Sequence, residues 1–146
     1  DDVTDHMIDQ SSGMQIREVR RAAVPRTFAR KREEGKIGFH KGDVVTSDIK
    51  YSPFDVIHCL GVLGFLYNDD SQAASDAVVL AVYNMARNLK RGGILLVDDE
   101  HRDDIEWNTA TAVRVTDGLR KKMGLVLDGE IQETSKYFYL FFRKVK

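Results

Sequence analysis

Apolar residues along this chain fall into two rhythms, short runs of strand length and longer stretches with helical spacing, and the two alternate. Such alternation is the pattern of an α/β sheet with crossover helices. His6-Met7-Ile8 reads as a strand ending at Asp9, and Ile16, Val19 and Ala23 mark one face of a helix over Met14 to Ala23. Residues 26–36 are too polar for a core element, and Ile37-Gly38-Phe39-His40 reads as a short strand leading to Lys41-Gly42-Asp43. A further strand follows the turn at Ser52-Pro53 and covers Phe54 to Cys59, with an apolar continuation through Leu66.

The clearest helix runs from Ser71 to Lys90. Ala74, Ala77, Val78, Ala81, Met85 and Leu89 keep one stripe, Arg87, Lys90 and Arg91 complement the C-terminal dipole, and Gly92-Gly93 supplies the stop. Ile94 to Val97 is almost purely aliphatic, as expected of a central parallel strand covered on both faces, and the run stops at Asp98-Asp99-Glu100. Ile105, Thr109, Ala112, Thr116, Leu119 and Met123 mark another helix, closed by Gly124. Two last strands, Leu125 to Leu127 and Tyr137 to Phe142, are joined by a polar segment and are placed to pair antiparallel at a sheet edge. The predicted fold class is therefore α/β, a doubly wound, mostly parallel sheet with an antiparallel C-terminal strand.

Composition adds limits to this picture. With 146 residues, 42% apolar and 31% charged, the chain is expected to form a single domain, 1–146, with a real core. A net charge of −1 gives no global argument for nucleic acid or membrane, and the lone cysteine, Cys59, excludes an intrachain disulfide framework or a Cys-rich zinc site. No apolar run approaches the ~20 residues of a membrane span, and Asp1-Asp2-Val3-Thr4-Asp5 lacks the features of a signal peptide, so a cytoplasmic protein is expected. One local excess stands out: nine Lys/Arg against three Glu between Gln10 and Lys41, a basic 17–41 segment that reads first as a solvated face and second as a partner surface.

Candidate chemistry is sought just after each apolar run, because ligands of open α/β sheets sit outside the carboxyl ends of the strands. The loops so marked begin at Asp9, Gly42-Asp43-Val44, Cys59-Leu60-Gly61 and Asp98-Asp99. An ionised carboxylate at such a place can accept from both hydroxyls of a ribose, and a second one can accept from an adenine amino group. Asp9 and Asp43 are the candidates, with Val44 and Leu60 as apolar contacts on the adenine.

The successive stretches HMIDQSSGMQIREVRRAA, GFHKGDV, SPFDVIHCLGVLGFL and NMARNLKRGGILLVDD resemble the motifs of class I S-adenosylmethionine-dependent methyltransferases, and YFYLFFRK is similar to that family's closing strand. The resemblance covers residues 6–146. It implies a cofactor, S-adenosylmethionine, with Asp9 on the ribose, Asp43 and Val44 at the adenine, and Cys59, Leu60 and Gly61 beside the sulfonium and its methionine part. It also implies an in-line displacement at the methyl carbon, in which the protein aligns the reactants and excludes water. His101 is the candidate base for an acceptor that carries a proton, ahead of His58 and His40.

The family's Gly-rich loop would precede the strand that ends at Asp9, and the chain contains no G-x-G run. The domain is accordingly expected to lack the family's first strand, with an oligomer or a swapped element completing the sheet. No metal is expected, because Cys59 stands where metal-dependent members place an acid. Asp98, Asp99, Glu100, Asp103, Asp104 and Glu106 then read as a solvated acidic loop, and Trp107 lines an acceptor pocket or covers the core edge. The acceptor is a small molecule or a protein. The alternatives are a noncatalytic methyltransferase-like module that binds a partner through the basic 17–41 segment, or a site for another adenine nucleotide.

Overall fold

A computed structural model describes residues 7–8, 15–16, 42–46 and 53–146. The chain divides into two compact units, Asp1–Asp43 and Val44–Lys146. In the first, β1 (Met7–Ile8) pairs antiparallel with β2 (Gln15–Ile16). The helix expected from Met14 is thus absent at Gln15–Ile16. Cross-strand pairing of this segment overrides a helical spacing that rested on only three apolar positions. The remainder of that expected helix, Asp9, the strand at Ile37–His40 and the whole basic 17–41 segment lie outside the described residues.

The second unit is built around β3 (Phe54–Leu60), β4 (Leu89–Glu100), β5 (Leu125–Leu127), β6 (Gln132–Glu133) and β7 (Tyr137–Lys144). Strand order is β3-β4-β7-β5, with β6 also paired to β7. β3 and β4 are parallel, and β7 is antiparallel to β4, β5 and β6, so β7 alone runs against the others. This is the mostly parallel sheet with one reversed C-terminal strand that the sequence predicts. β7 lies inside the sheet rather than at its edge.

Among the described residues three helices join the strands: α1 (Leu63–Leu66), α2 (Gln72–Arg87) and α3 (Thr109–Met123). α2 starts where the Ser71 hydroxyl accepts from the Ala74 N–H (3.2 Å) and buries Ala74, Val78, Ala81, Val82 and Met85, spaced to form one stripe. Full burial of each larger member contributes about 1.5–3 kcal/mol before the entropy cost of ordering. α3 is capped by Asn108, whose Oδ1 accepts from the Thr111 N–H (3.0 Å), and ends at Gly124 in the left-handed region (φ 69°).

Several boundaries differ from expectation, each for a local reason. α2 stops at Arg87 because Leu89 already pairs with Phe54, so Lys90 to Gly93 form a bulge in β4 and do not continue the helix. The bulge turns at Gly92 (φ 82°), and a Cβ on Gly93 would lie 2.8 Å from the Lys90 carbonyl oxygen. α3 begins four residues later than its apolar spacing suggests, and its most buried row is Ala112, Thr116 and Arg120. Arg120 is held there by Thr116 Oγ1 (3.0 Å) and the Val113 carbonyl (3.0 Å), with its guanidinium over Phe142.

On the helix side of the sheet, alternate residues bring Cys59, Leu95, Val97, Asp99, Phe138, Leu140 and Phe142 into the interior. Trp107 is fully buried against Tyr67 and Phe138, so it belongs to the core. The opposite face carries Val56, His58, Leu60, Ile94, Leu96, Tyr139 and Phe141, all half-buried or exposed. Among the described residues no helix is long and apolar enough to cross a membrane.

Candidate functional site

The carboxyl ends of β3 and β4 lie side by side: Leu60 is in register with Asp98, and the Gly61 N–H donates to the Asp98 carbonyl (2.8 Å). Past Leu60 the chain turns at Gly61 in the left-handed region (φ 66°), where a Cβ would meet nothing within 4 Å. This glycine is required by backbone conformation and leaves the strand end open to an approaching group. Leu60 is 64% exposed, a large apolar side chain facing solvent at the position where ligands of such sheets sit. Beside it on the same face, His58 Nε2 stands 3.5 Å from Asp98 Oδ2.

Cys59, expected beside Leu60 and Gly61, turns the other way. Its thiol is buried on the helix side, and burial, with the nearby Asp99 charge, pushes its pKa up to about 12. It is therefore no nucleophile near neutral pH, and only its backbone can contribute to a wall with Leu60 and Gly61. Val44 is half-buried, packs against the core and is fixed from α2: Asn84 Nδ2 donates to the Val44 (2.8 Å) and Val45 (2.7 Å) carbonyls. Asp43 is exposed at the end of the first unit, and Asp9 lies outside the described residues.

The acidic segment is not one solvated loop. β4 continues through Glu100, and strand alternation carries Asp99 to the helix side, where it is 5% exposed. One carboxylate oxygen, Oδ2, accepts from the Gly64 N–H (2.8 Å), and Oδ1 accepts from the Glu100 N–H (2.9 Å). Burial raises the Asp99 pKa; those two N–H groups and the Trp107 indole pull it back, and Asp98 adds to the rise. The indole N–H leans toward the carboxylate without reaching hydrogen-bond geometry, and it is the one buried side-chain polar atom without a partner among the described residues.

His101 follows directly on β4. Its ring packs on Phe138 (5.2 Å between centroids) and Nε2 stands 3.8 Å from Glu133. With Arg102, Trp107 and Glu133 it borders an open groove of about 650 Å3. A second groove, of about 800 Å3, lies between α3 and the β5–β6 connection and includes Val113, Asp117 and Ile131. Among the described residues no group of three or more His, Cys, Asp or Glu side chains is placed to hold a metal.

Sequence reasoning did not find Asn84 or Gly64, and it marked Asp99 only as part of the loop that begins at Asp98-Asp99. Asn84 and Asp99 each carried a signal, a polar residue where the apolar spacing predicts the interior, which is rare unless the group is satisfied. Gly64 gave none, since its need for no side chain comes from Trp107 and Asp99, both more than thirty residues away.

Solved structures similar to this chain include methyltransferases. NodS, an N-methyltransferase from Bradyrhizobium japonicum in complex with S-adenosyl-L-homocysteine, matches with a TM-score of 0.56 at 20% identity, over 88% of this chain and 65% of that one. A TehB-like S-adenosylmethionine-dependent methyltransferase from Corynebacterium glutamicum matches at 0.55 and 17% identity, over 81% of this chain and 61% of that one. An O-methyltransferase family protein from Burkholderia thailandensis matches at 0.54 and 17% identity, over 85% and 40%. The chain thus spans about two-thirds or less of the length of these proteins. No family model and no curated protein matches it. The fold is class I methyltransferase-like and Rossmann-like.

Proposed function

We propose that this chain carries part of an S-adenosylmethionine-dependent methyltransferase and takes part in methyl transfer to a small-molecule or protein acceptor. The observation that carries the reading is the carboxyl end of β3, where an exposed Leu60 and an unobstructed left-handed Gly61 stand beside Asp98 in a sheet of methyltransferase order. S-adenosyl-L-homocysteine bound to NodS supports the choice of cofactor.

Leu60 and the Cys59–Gly61 backbone fit one apolar wall for an adenosyl or methionine moiety, and the Gly61 turn lets that moiety approach the backbone closely. Asp9 at the ribose and Asp43 and Val44 at the adenine complete the proposed set. When bound, the cofactor supplies a methyl group already activated on a sulfonium, so these residues have to orient it and keep water away. His101, at the end of β4 and bordering the groove with Arg102 and Trp107, is the base where the acceptor needs one.

Thermal unfolding in a series of S-adenosylhomocysteine concentrations tests the reading. Binding stabilises by about 2.7 kcal/mol at a hundred times Kd, so the midpoint climbs with ligand. No response at millimolar ligand overturns the methyltransferase reading and favours a noncatalytic module; a response to another adenine nucleotide in its place assigns a different ligand.

A further inference from the structure

Gly64 is gripped on three sides. Its N–H donates to Asp99 Oδ2 (2.8 Å), its carbonyl accepts from Arg102 Nη1 (2.9 Å), and a Cβ on it would lie 2.6 Å from Trp107 Nε1 and 2.8 Å from Asp99 Oδ1. The grip joins the first turn after β3 to the end of β4 and to the 102–107 turn. Arg102 is itself held by Asp104 (3.1 and 2.6 Å), and its N–H donates to the Trp107 carbonyl (3.0 Å).

A carboxylate loses its hydration on burial, so satisfying two N–H groups this way is costly, and removing it would leave both donors without an acceptor. What a carboxylate adds is a fixed, strong acceptor that sets where the Gly64 N–H must lie. Only Leu63, Val62 and Gly61 separate Gly64 from Leu60, the exposed end of the proposed cofactor wall. The same grip ends in Arg102 and Trp107, which border the groove that also holds His101.

We infer that Asp99 and Gly64 are positioning residues: they lock the turn after β3, and so keep Leu60 and Gly61 in a fixed relation to the Arg102–Trp107 side of the groove. This rests on the reading under Proposed function. It goes beyond it in assigning a role to a buried acid and a glycine outside the proposed cofactor-binding set.

Trp107 is the only tryptophan of the chain, so its emission reports on the grip directly. The experiment titrates the full chain with S-adenosylhomocysteine, following heat of binding and Trp107 emission together, for wild type, Asp99→Ala, Asp99→Asn, Arg102→Met and Lys144→Met. Wild type is expected to bind with a change in emission. Asp99→Ala is expected to bind about ten-fold or more weakly with the emission change reduced, a loss on the scale of one hydrogen bond to a charged group, and Asp99→Asn to recover part of it. Arg102→Met, at a partly exposed site that does not threaten folding, is expected to weaken binding less.

Lys144→Met, at the far end of the sheet, lowers stability and is expected to leave affinity unchanged. Wild-type affinity in both Asp99→Ala and Arg102→Met overturns the positioning role while leaving the methyltransferase reading in place. So does an equal loss of affinity in Lys144→Met. Failure of wild type to bind overturns that reading, and with it the positioning role.

Discussion

The two ends of β4 both set a charged side chain against backbone groups, and they do so at opposite cost. At the amino end, Lys144 Nζ donates to the Ala86 (2.7 Å) and Leu89 (3.0 Å) carbonyls at the close of α2, and Arg143 donates to the Gly92 carbonyl (3.1 Å) while pairing with Asp128. These cations keep part of their surface in water and meet the negative end of a helix, an arrangement that costs little. At the carboxyl end, Asp99 is withdrawn from water and its pKa is raised by that burial. The amino end is organised for stability. The carboxyl end accepts a desolvated charge in return for a fixed turn, at the place where open α/β sheets bind ligands.

The largest expected effect is at that turn. Gly64→Ala drives a methyl group into Trp107 and Asp99, two side chains that are themselves locked, and is expected to lower unfolding free energy by about 2–3 kcal/mol. Gly61→Ala meets no atom within 4 Å and carries only the left-handed strain, about 1 kcal/mol. Urea denaturation of both variants checks the order. Equal losses would mean that Gly64 is held no more tightly than the open turn beside it.

Next in size is Lys144→Met. It removes two hydrogen bonds to partly buried carbonyls while keeping the aliphatic stem, and about 1–2 kcal/mol is expected by the same measurement. A cost as large as that of Gly64→Ala would erase the contrast between the two ends.

How much of this was legible in the sequence follows from how local each cause is. The α2 stripe, the Ile94–Val97 run and the closing strand stand in the order of residues, because burial on one face imposes its period on neighbouring positions. The order of motifs also carried the fold class. The bulge at Lys90–Gly93 was hidden because Arg87, Lys90 and Arg91 imitate a helix C-terminus, whereas the pairing of Phe54 with Leu89 is made across 35 residues. Leu60 and Gly61, expected at the end of β3, do lie open at that strand end. Cys59 is their neighbour in sequence and faces the other way, as strand alternation requires. Asp99 was read as part of an exposed acidic run because five neighbouring acids share its composition, and the β4–β7 register, which sets it opposite Phe138, shows that it is buried.

The smallest expected effect is a change of slope. Because the Asp99 pKa is raised in the folded protein, the native state takes up this proton at a higher pH than the unfolded chain does. As pH falls through that window the native state binds more protons than the unfolded one, so the contribution of Asp99 to stability improves on acidification. Asp104 and Asp117 behave oppositely: Arg102 holds the first, and Lys121 with Arg120 the second, below the usual carboxylate range. Their stabilisation is present at neutral pH and fades as the pH drops through their folded values. Wild type carries both tendencies, and Asp99→Asn keeps only the second. Stability of the Asn variant, from urea midpoints between pH 7 and pH 4, is therefore expected to fall more steeply with acidification than that of wild type. Parallel curves would show that the Asp99 carboxylate bears no penalty for its burial, and the two ends of β4 would then differ in geometry alone.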